Sequence, residues 1–305
     1  MKNLIFGLML YSSVASPCLA DDYKDGFAAY SRGDYSKALS TLLPLAAKGN
    51  PYAQHSLGVM NEAGHGIPIN YTEAMAWYYK AAEQKLMPAQ NNIGTMYALG
   101  RGVPPDYKLA EKWYRLAAEH GYAMAQFNLG EFYDTGRAGV PQDYSEAAKW
   151  YRLAALQGSA AAQNNLGWMY ENGKGVQLDV AAAIKWYELA SAQGYPSAQI
   201  NLGGIYDRGH GVTQDYVKAS AWYRKAAKLN DPRAQYNLGT MYAQGQGLQQ
   251  DELKAYMWLY LASRSNAIDH IKNRDAVGAV LTPVQVAVAV TRAKNCQAAK
   301  FKNCD

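Results

Sequence analysis

Small and apolar residues recur along this chain in a two-part pattern that is written six times. The first part reads A-Q-x-N-L-G-x-M-Y, and the second carries Ala, Trp and Ala at four, seven and eleven residues beyond an Asn or Asp. Such spacings place the conserved letters of each part on one face of a helix. Each unit therefore predicts two amphipathic helices, named helix A and helix B from here on. The units start at Ala53, Ala89, Ala125, Ala162, Ala198 and Ala234, which are 36, 36, 37, 36 and 36 residues apart.

The ends of these helices are marked by residues with a defined capping role. Helix A ends at a glycine in every unit, as expected for a left-handed C-cap, and helix B begins after Asn or Asp, which are good N-caps. Asn70 with Glu73, and Asp143 with Glu146, have the spacing of a capping box. A further glycine lies inside each helix A, where it costs about 1 kcal/mol relative to alanine. Its recurrence predicts close approach by a neighbouring helix, with the Trp of helix B filling the remaining gap.

The fixed period defines the organisation of the chain, because periods of this length are typical of stacked repeat units. Residues 52–264 hold the six repeats. Residues 21–51 form an incomplete unit that we interpret as an N-terminal capping repeat, and residues 265–305 are predicted to form a C-terminal helical cap. The fold class expected is all-α, an α-solenoid of about eight helix pairs.

The first twenty residues differ from the rest in kind. Lys2 precedes an apolar run, residues 4–14, that is too short to span a bilayer and typical of a signal peptide. Cys18-Leu19-Ala20 places small residues for cleavage after Ala20. The alternative is a lipidated Cys18, although Pro17 is unusual before such a cysteine. We expect residues 1–20 to be a signal peptide, with no stable membrane insertion after cleavage.

The cysteines that would remain are Cys296 and Cys304, an even number, as expected for a disulfide in an exported chain. Such a bond would stabilise the C-terminus by about 2–3 kcal/mol. The alternative is a pair of free thiols. We predict no metal site, because no His or further Cys lies nearby at ligand spacing.

The repeat AQxNLGxMYxxGxGVxxDYxxAxxWYxxAAxxG resembles the Sel-one-like repeat, a relative of the tetratricopeptide repeat. The resemblance implies a right-handed α-solenoid that serves as an adaptor in protein complexes. It also implies export, with a periplasmic regulator or scaffold as the main expectation and a secreted host-interaction factor as an alternative. The Helicobacter cysteine-rich branch, associated with β-lactams, carries cysteine pairs eight residues apart within its repeats. This chain has that spacing only at Cys296 and Cys304.

Positions two, six and nine residues after the starting Ala share one face of helix A and do not follow the consensus. In solenoids of this kind the first helix lines the concave face, so this stripe is the candidate groove for a protein or peptide. Its middle combines aromatic and acidic residues, and Trp168 is the only tryptophan outside the repeat register. An asparagine at the third position adds a ladder of amides, with either a structural or a peptide-binding role. The candidate binding residues are Phe127, Glu131, Asp134, Asn165, Trp168, Glu171, Asp207 and Tyr236.

Catalytic and nucleotide-binding motifs are missing from the sequence: there is no G-x-S-x-G, S-x-x-K, H-E-x-x-H or glycine-rich phosphate loop. A net charge of +5, from 30 basic and 25 acidic residues, is too small and scattered for nucleic acid. We therefore expect a non-enzymatic scaffold, without a cofactor, that binds a protein or peptide in the periplasm. The acidic residues of the stripe favour a basic segment. The alternative is a β-lactam- or peptidoglycan-acting protein.

Overall fold

A computed structural model of the protein describes residues 17–302 and Cys304, with residues 17–22 described by their backbone alone. Within this range the chain is all-helical, with sixteen helices, and it divides into two compact units, before and after the boundary between Gln142 and Asp143. The first unit contains α1 (Pro17–Ser31), α2 (Tyr35–Ala47), α3 (Pro51–Ala63), α4 (Tyr71–Glu83), α5 (Met87–Leu99), α6 (Tyr107–Glu119) and α7 (Ala123–Thr135). The second contains α8 (Tyr144–Leu156), α9 (Ala160–Asn172), α10 (Val180–Ala192), α11 (Pro196–Arg208), α12 (Tyr216–Ala227), α13 (Pro232–Gln244), α14 (Glu252–Ser263), α15 (Ile268–Gly278) and α16 (Pro283–Ala298).

Within each unit, successive helices pack on one another as far as α15, and α16 packs on α14. Helices α3, α5, α7, α9, α11 and α13 are the predicted A helices, and the even-numbered helices from α4 to α14 are the predicted B helices. This nearest-neighbour packing is the arrangement of an α-solenoid. The predicted fold class is confirmed.

The predicted N-caps of the B helices are confirmed, although at Asn70 and Asp143 only the N-cap half of the predicted capping box is present. At each helix B the Asn or Asp side chain accepts a hydrogen bond from the backbone N–H three residues later. Five of the six A helices end at a glycine in the left-handed conformation. Gly136 has positive φ with an extended ψ instead, and it begins the loop that holds the one-residue insertion. There Arg137 and Val140 exchange two backbone hydrogen bonds, which close the longer turn.

The recurrent Gln of helix A links each repeat to the one before it. Its amide nitrogen donates to a carbonyl in the last turn of the preceding helix B, as from Gln126 to Ala118 (3.1 Å) and from Gln163 to Ala155 (3.0 Å). Both glutamines are buried. Each of these carbonyls also accepts a backbone N–H from the turn that ends helix B, so the glutamine adds a second hydrogen bond that ties helix A to the end of the preceding helix B.

In four repeats the glycine inside helix A lies against a tyrosine ring of the same repeat, whereas Gly239 in the last repeat lies against Leu259. A Cβ added to Gly167 would lie 2.8 Å from the Tyr187 ring, and one added to Gly203 would lie 2.6 Å from Tyr223. The predicted close approach is confirmed, but the ring belongs to the tyrosine that follows the tryptophan of helix B. Tyr78, Tyr151 and Tyr187 are fully buried.

The prediction that each tryptophan fills the gap between helices was wrong for most repeats. Only Trp258, in the last repeat, is fully buried among the repeat tryptophans. The others are half-buried near the edge of the helix pair, and Lys80 and Lys225 lie over the rings of Trp77 and Trp222 at 4.1 Å and 3.8 Å. One residue along a helix is a rotation of about 100°, which directs the neighbouring tyrosine into the core instead.

The C-terminal region forms two helices that each pack on α14. Thr282 and Gln285 form both halves of a capping box at the start of α16. The predicted disulfide is confirmed: Cys296 is bonded to Cys304, and both sulfur-bearing residues are buried in one cluster with Trp258 and Phe301. The bond therefore holds the chain end against the last repeat.

The predicted signal peptide, residues 1–20, falls largely outside the described residues. Its cleavage site lies within α1, which begins at Pro17 and packs on α2. The leader therefore stays a prediction.

Two adjacent glycines of α11 provide a test of the close approach. Gly203→Ala places a methyl group against the Tyr223 ring, so we expect it to destabilise the fold by about 1–3 kcal/mol despite the better helix propensity. Gly204→Ala meets only the mobile end of Arg208, at 2.9 Å, and should be neutral or stabilising by up to about 1 kcal/mol. Urea unfolding of both variants measures the difference. Equal effects of the two substitutions would contradict the account.

Candidate functional site

The predicted groove residues lie on the A helices of both units. Phe127, Glu131 and Asp134 are on α7 in the first unit. The others are on three A helices of the second unit: Asn165, Trp168 and Glu171 on α9, Asp207 on α11 and Tyr236 on α13.

In the first unit, Glu131 is exposed while Phe127 and Asp134 are half-buried. Partial desolvation, followed by repulsion from Asp134, raises the pKa of the Glu131 carboxyl, and Arg137 opposes that rise. The backbone carbonyl of Asp134 accepts a hydrogen bond from Gln142 at 2.6 Å. This part of the stripe is acidic and reachable by solvent at Glu131.

Glu171 is buried, and its carboxylate is occupied by partners within the chain. Its Oε2 accepts from the Tyr187 hydroxyl at 2.7 Å, and its Oε1 accepts from Arg208 at 3.2 Å. The Glu171 backbone carbonyl lies 3.3 Å from a ring nitrogen of His210. A buried carboxylate needs such donors, because an unpaired one costs several kcal/mol. Glu171 therefore joins its own helix B to the next repeat.

The same arrangement occurs in the first repeat. Glu62 accepts from the Tyr78 hydroxyl at 2.8 Å and from Arg101 of the next repeat at 2.9 Å. Asp207 likewise accepts from Tyr223, at 3.3 Å. The acid nine residues into the repeat thus pairs with the core tyrosine of the same repeat. A sequence signal was available, since both glutamates are followed by an arginine in the next repeat.

The asparagine ladder is built into the stacking of repeats. Asn128 donates to the Asn91 side chain of the preceding repeat at 2.8 Å, and Asn201 donates to Asn164 at 3.1 Å. Asn165, a candidate binding residue, accepts from Asn164 at 3.2 Å. These contacts support the structural role for the ladder.

The C-terminal cap adds one more rung to this ladder. Asn273 of α15 donates to the Tyr236 hydroxyl at 2.7 Å, and the His270 ring stacks on the Tyr236 ring with 4.7 Å between centroids. The separation of 37 residues is the same as in the Asn128–Asn91 and Asn201–Asn164 pairs. Helix α15 therefore occupies the place of a further helix A and covers much of Tyr236.

Trp168 differs from the other aromatic candidates because its side chain is exposed. It is 38% exposed, and no described residue makes a hydrogen bond or ring contact with its indole. Its backbone carbonyl accepts from Asn172 in the ordinary position one turn later. An exposed tryptophan on a helix face is a frequent anchor for a binding partner.

In the described part of the chain, no group of three or more His, Cys, Asp and Glu residues is placed to hold a metal ion. Within the same residues, every helix is too short or too polar to cross a membrane.

These features define a helical-repeat solenoid whose A helices present one exposed aromatic anchor. The Sel1 repeat family model matches residues 51–86, 88–122, 123–159, 160–195, 196–231 and 232–266, and the chain belongs to this family. Its repeats are typical of protein–protein interaction scaffolds, which are generally non-catalytic.

Two solved structures are similar to this protein over most of its length. A protective antigen with an SLR fold, from uropathogenic Escherichia coli strains, is 29% identical with a TM-score of 0.83, covering 93% of this chain and 62% of that one. This protein thus spans about three-fifths of that antigen. A Sel1 repeat protein from Oxalobacter formigenes is 36% identical with a TM-score of 0.73, covering 80% of this chain and 99% of that one. No curated protein matches the sequence.

The buried glutamate network can be tested at its exposed end. Arg208→Met removes the charged partner of Glu171 while keeping much of the side-chain volume. We expect a loss of about 1–3 kcal/mol in the free energy of unfolding, because Glu171 stays buried with fewer donors. The double variant Arg208→Met/Glu171→Gln should regain part of that loss in urea unfolding. Unchanged stability of Arg208→Met would contradict a structural role for Glu171.

One ladder rung should make stability depend on pH. His55 Nε2 lies 3.2 Å from the Asn92 amide nitrogen, and burial lowers the pKa of His55 from 6.5 to about 4. Between pH 6.5 and about pH 4, His55 is protonated in the unfolded chain but neutral in the folded one. The free energy of unfolding therefore falls on acidification, by up to about 1.4 kcal/mol per pH unit.

In the second and fourth repeats the position equivalent to His55 is an asparagine, Asn91 or Asn164. The test variant is therefore His55→Asn. It should keep an acceptor for Asn92 and flatten this pH dependence while leaving stability at pH 7 nearly unchanged. Urea midpoints of both proteins between about pH 7 and pH 4 measure the effect. The same acid slope in both would exclude His55 as its source.

Proposed function

We propose that this protein is an exported, non-enzymatic scaffold that binds a protein or peptide segment on the A-helix face of its second unit. The observation that carries the proposal is the exposed indole of Trp168 on a face whose other polar groups are largely paired. Aromatic anchors contribute much of the energy in protein interfaces, whereas paired surface charges contribute little.

The ion pair between Glu171 and Arg208 changes the kind of partner that we infer for this face. Arg208 compensates Glu171, so the face around α9 and α11 is not strongly acidic. An apolar side chain of the partner on Trp168 is therefore the main contact. The preference for a basic segment stays a prediction for the first unit taken by itself, where Glu131 is exposed.

Export is inferred from the leader-like first twenty residues and supported by the cysteine pair. Cys296 and Cys304 form a buried disulfide, a bond that persists in oxidising compartments. The periplasm is the proposed location, with secretion as the alternative. The β-lactam-acting alternative stays a prediction, and the one cysteine pair lies in the C-terminal cap rather than within a repeat.

Crosslinking in living cells followed by co-purification tests the binding face. Trp168→Ala should reduce recovery of the partner from the periplasmic fraction by about tenfold, since truncating a tryptophan anchor costs 2 kcal/mol or more, roughly. Leu153→Ala is the matched control, because Leu153 is 44% exposed but lies on a helix B. Circular dichroism verifies that both variants stay folded.

Three results would contradict the proposal. Equal capture by wild type and Trp168→Ala would place the site elsewhere on the molecule. Loss of capture with Leu153→Ala alone would assign the site to the B helices. Recovery of both the protein and its partner only from the medium would favour the secreted alternative over the periplasm.

A further inference from the structure

The last helix, α16, is held firmly on one side and open on the other. Ala289, Ala293 and Cys296 are buried, and α16 packs on α14. The disulfide from Cys296 to Cys304 fixes its C-terminal end in the same cluster as Trp258. The orientation of α16 is thereby set, so its opposite face is a defined surface.

That opposite face carries an apolar ridge. Val284 is 74% exposed and Val288 is 41% exposed, and Val280, just before the helix, is 72% exposed. Residues four apart lie on one side of a helix, so Val284 and Val288 are neighbours on it. The outer face of a terminal repeat is ordinarily polar, because it has only solvent beside it. The apolar ridge of α16 departs from this pattern.

The charged residues in the segment that carries this ridge are all of one sign. Residues 279–304 contain Arg292, Lys294, Lys300 and Lys302 and no Asp or Glu. All four cations are exposed, and no ion pair joins them to a described residue. At about 100° per residue, Arg292 lies one turn after Val288 on the same side of α16, and Lys294 lies on the flank nearer to Val284. This contrasts with cations such as Arg101 and Arg208, which pair with glutamates of a neighbouring repeat.

We propose that the outward face of α16 is a docking surface for an acidic amphipathic helix of a partner protein. The ridge of Val284 and Val288 would pack against apolar residues of that helix, and carboxylates on its flanks would meet Arg292 and Lys294. Rows of side chains four residues apart are the ridges through which helices pack on one another. Opposite charges beside such a row steer association and fix its register.

Two other occupants fit the surface less well. A second copy of α16 packed in parallel would bring Arg292 and Lys294 against the same cations, and an antiparallel copy would offer them no carboxylate, because residues 279–304 contain none. A membrane surface is usually entered by Trp, Phe or Leu, whereas the exposed apolar residues of α16 are valines with short side chains. This inference does not rest on the A-helix face, since α16 lies in the C-terminal cap.

Fluorescence anisotropy of the whole protein with a labelled synthetic peptide tests the proposal. The probe is a helical peptide of about six turns with a leucine stripe flanked by glutamates, and its counterpart has lysine in place of every glutamate. The test variants are Val284→Ser/Val288→Ser and Arg292→Glu/Lys294→Glu. The matched controls are Val217→Ser, an exposed valine of α12, and Lys37→Glu/Lys185→Glu, with the same change in net charge.

We expect wild type to bind the acidic peptide and not the basic one, with binding weakened by salt. Each cap variant should weaken binding by about tenfold, and both controls should stay within about twofold of wild type. Cap variants that bind like wild type would overturn the proposal. Binding of the wild-type protein to phosphatidylglycerol vesicles but not to the peptide would also overturn it. A third contrary result is a wild-type dimer, detected by sedimentation, that the Val284→Ser/Val288→Ser substitution abolishes.

Discussion

In most repeats, the contact between a glycine of helix A and the core tyrosine of helix B sets the spacing on which the rest of the repeat depends. A side chain at Gly167 or Gly203 would collide with the ring of Tyr187 or Tyr223. Because the helices approach so closely, the tyrosine hydroxyl crosses the helix pair and reaches the acid at the ninth position of the repeat, as in the bond from Tyr187 to Glu171. One steric constraint thus places both the core ring and the polar network at its end.

This network, together with the amide ladder, joins each repeat to the next within a unit. Arg208 reaches back to Glu171, and Asn201 reaches back to Asn164, so the A-helix face is itself part of the stacking interface. Solenoid stability is largely a sum of such nearest-neighbour terms. The consequence for function is that few groups on this face remain for a partner. Trp168 is the prominent exception in the second unit, which is why the proposed binding site centres on it.

Much of the fold followed from the sequence, because local rules and the period determine it. The caps at residues such as Asp143, the glycine close approach and the bond between Cys296 and Cys304 were all predicted and confirmed. The candidate site was harder to predict. Burial of Glu171 depends on which side chains of adjacent repeats meet, and a single-sequence pattern does not contain that pairing. Likewise, the tryptophan and the tyrosine of helix B are adjacent and point about 100° apart. Because both recur in the repeat, the sequence pattern does not decide which ring enters the core.

The central claim is that Trp168 marks the surface that a partner covers. The most direct measurement is a photocrosslinking scan in living cells, with a photoreactive amino acid placed singly at positions 168, 236 and 153. Position 236 lies under α15 and position 153 lies on a helix B. The account predicts one crosslinked product that forms from position 168 and not from the other two. A product that forms from 153 or 236, with none from 168, would contradict it.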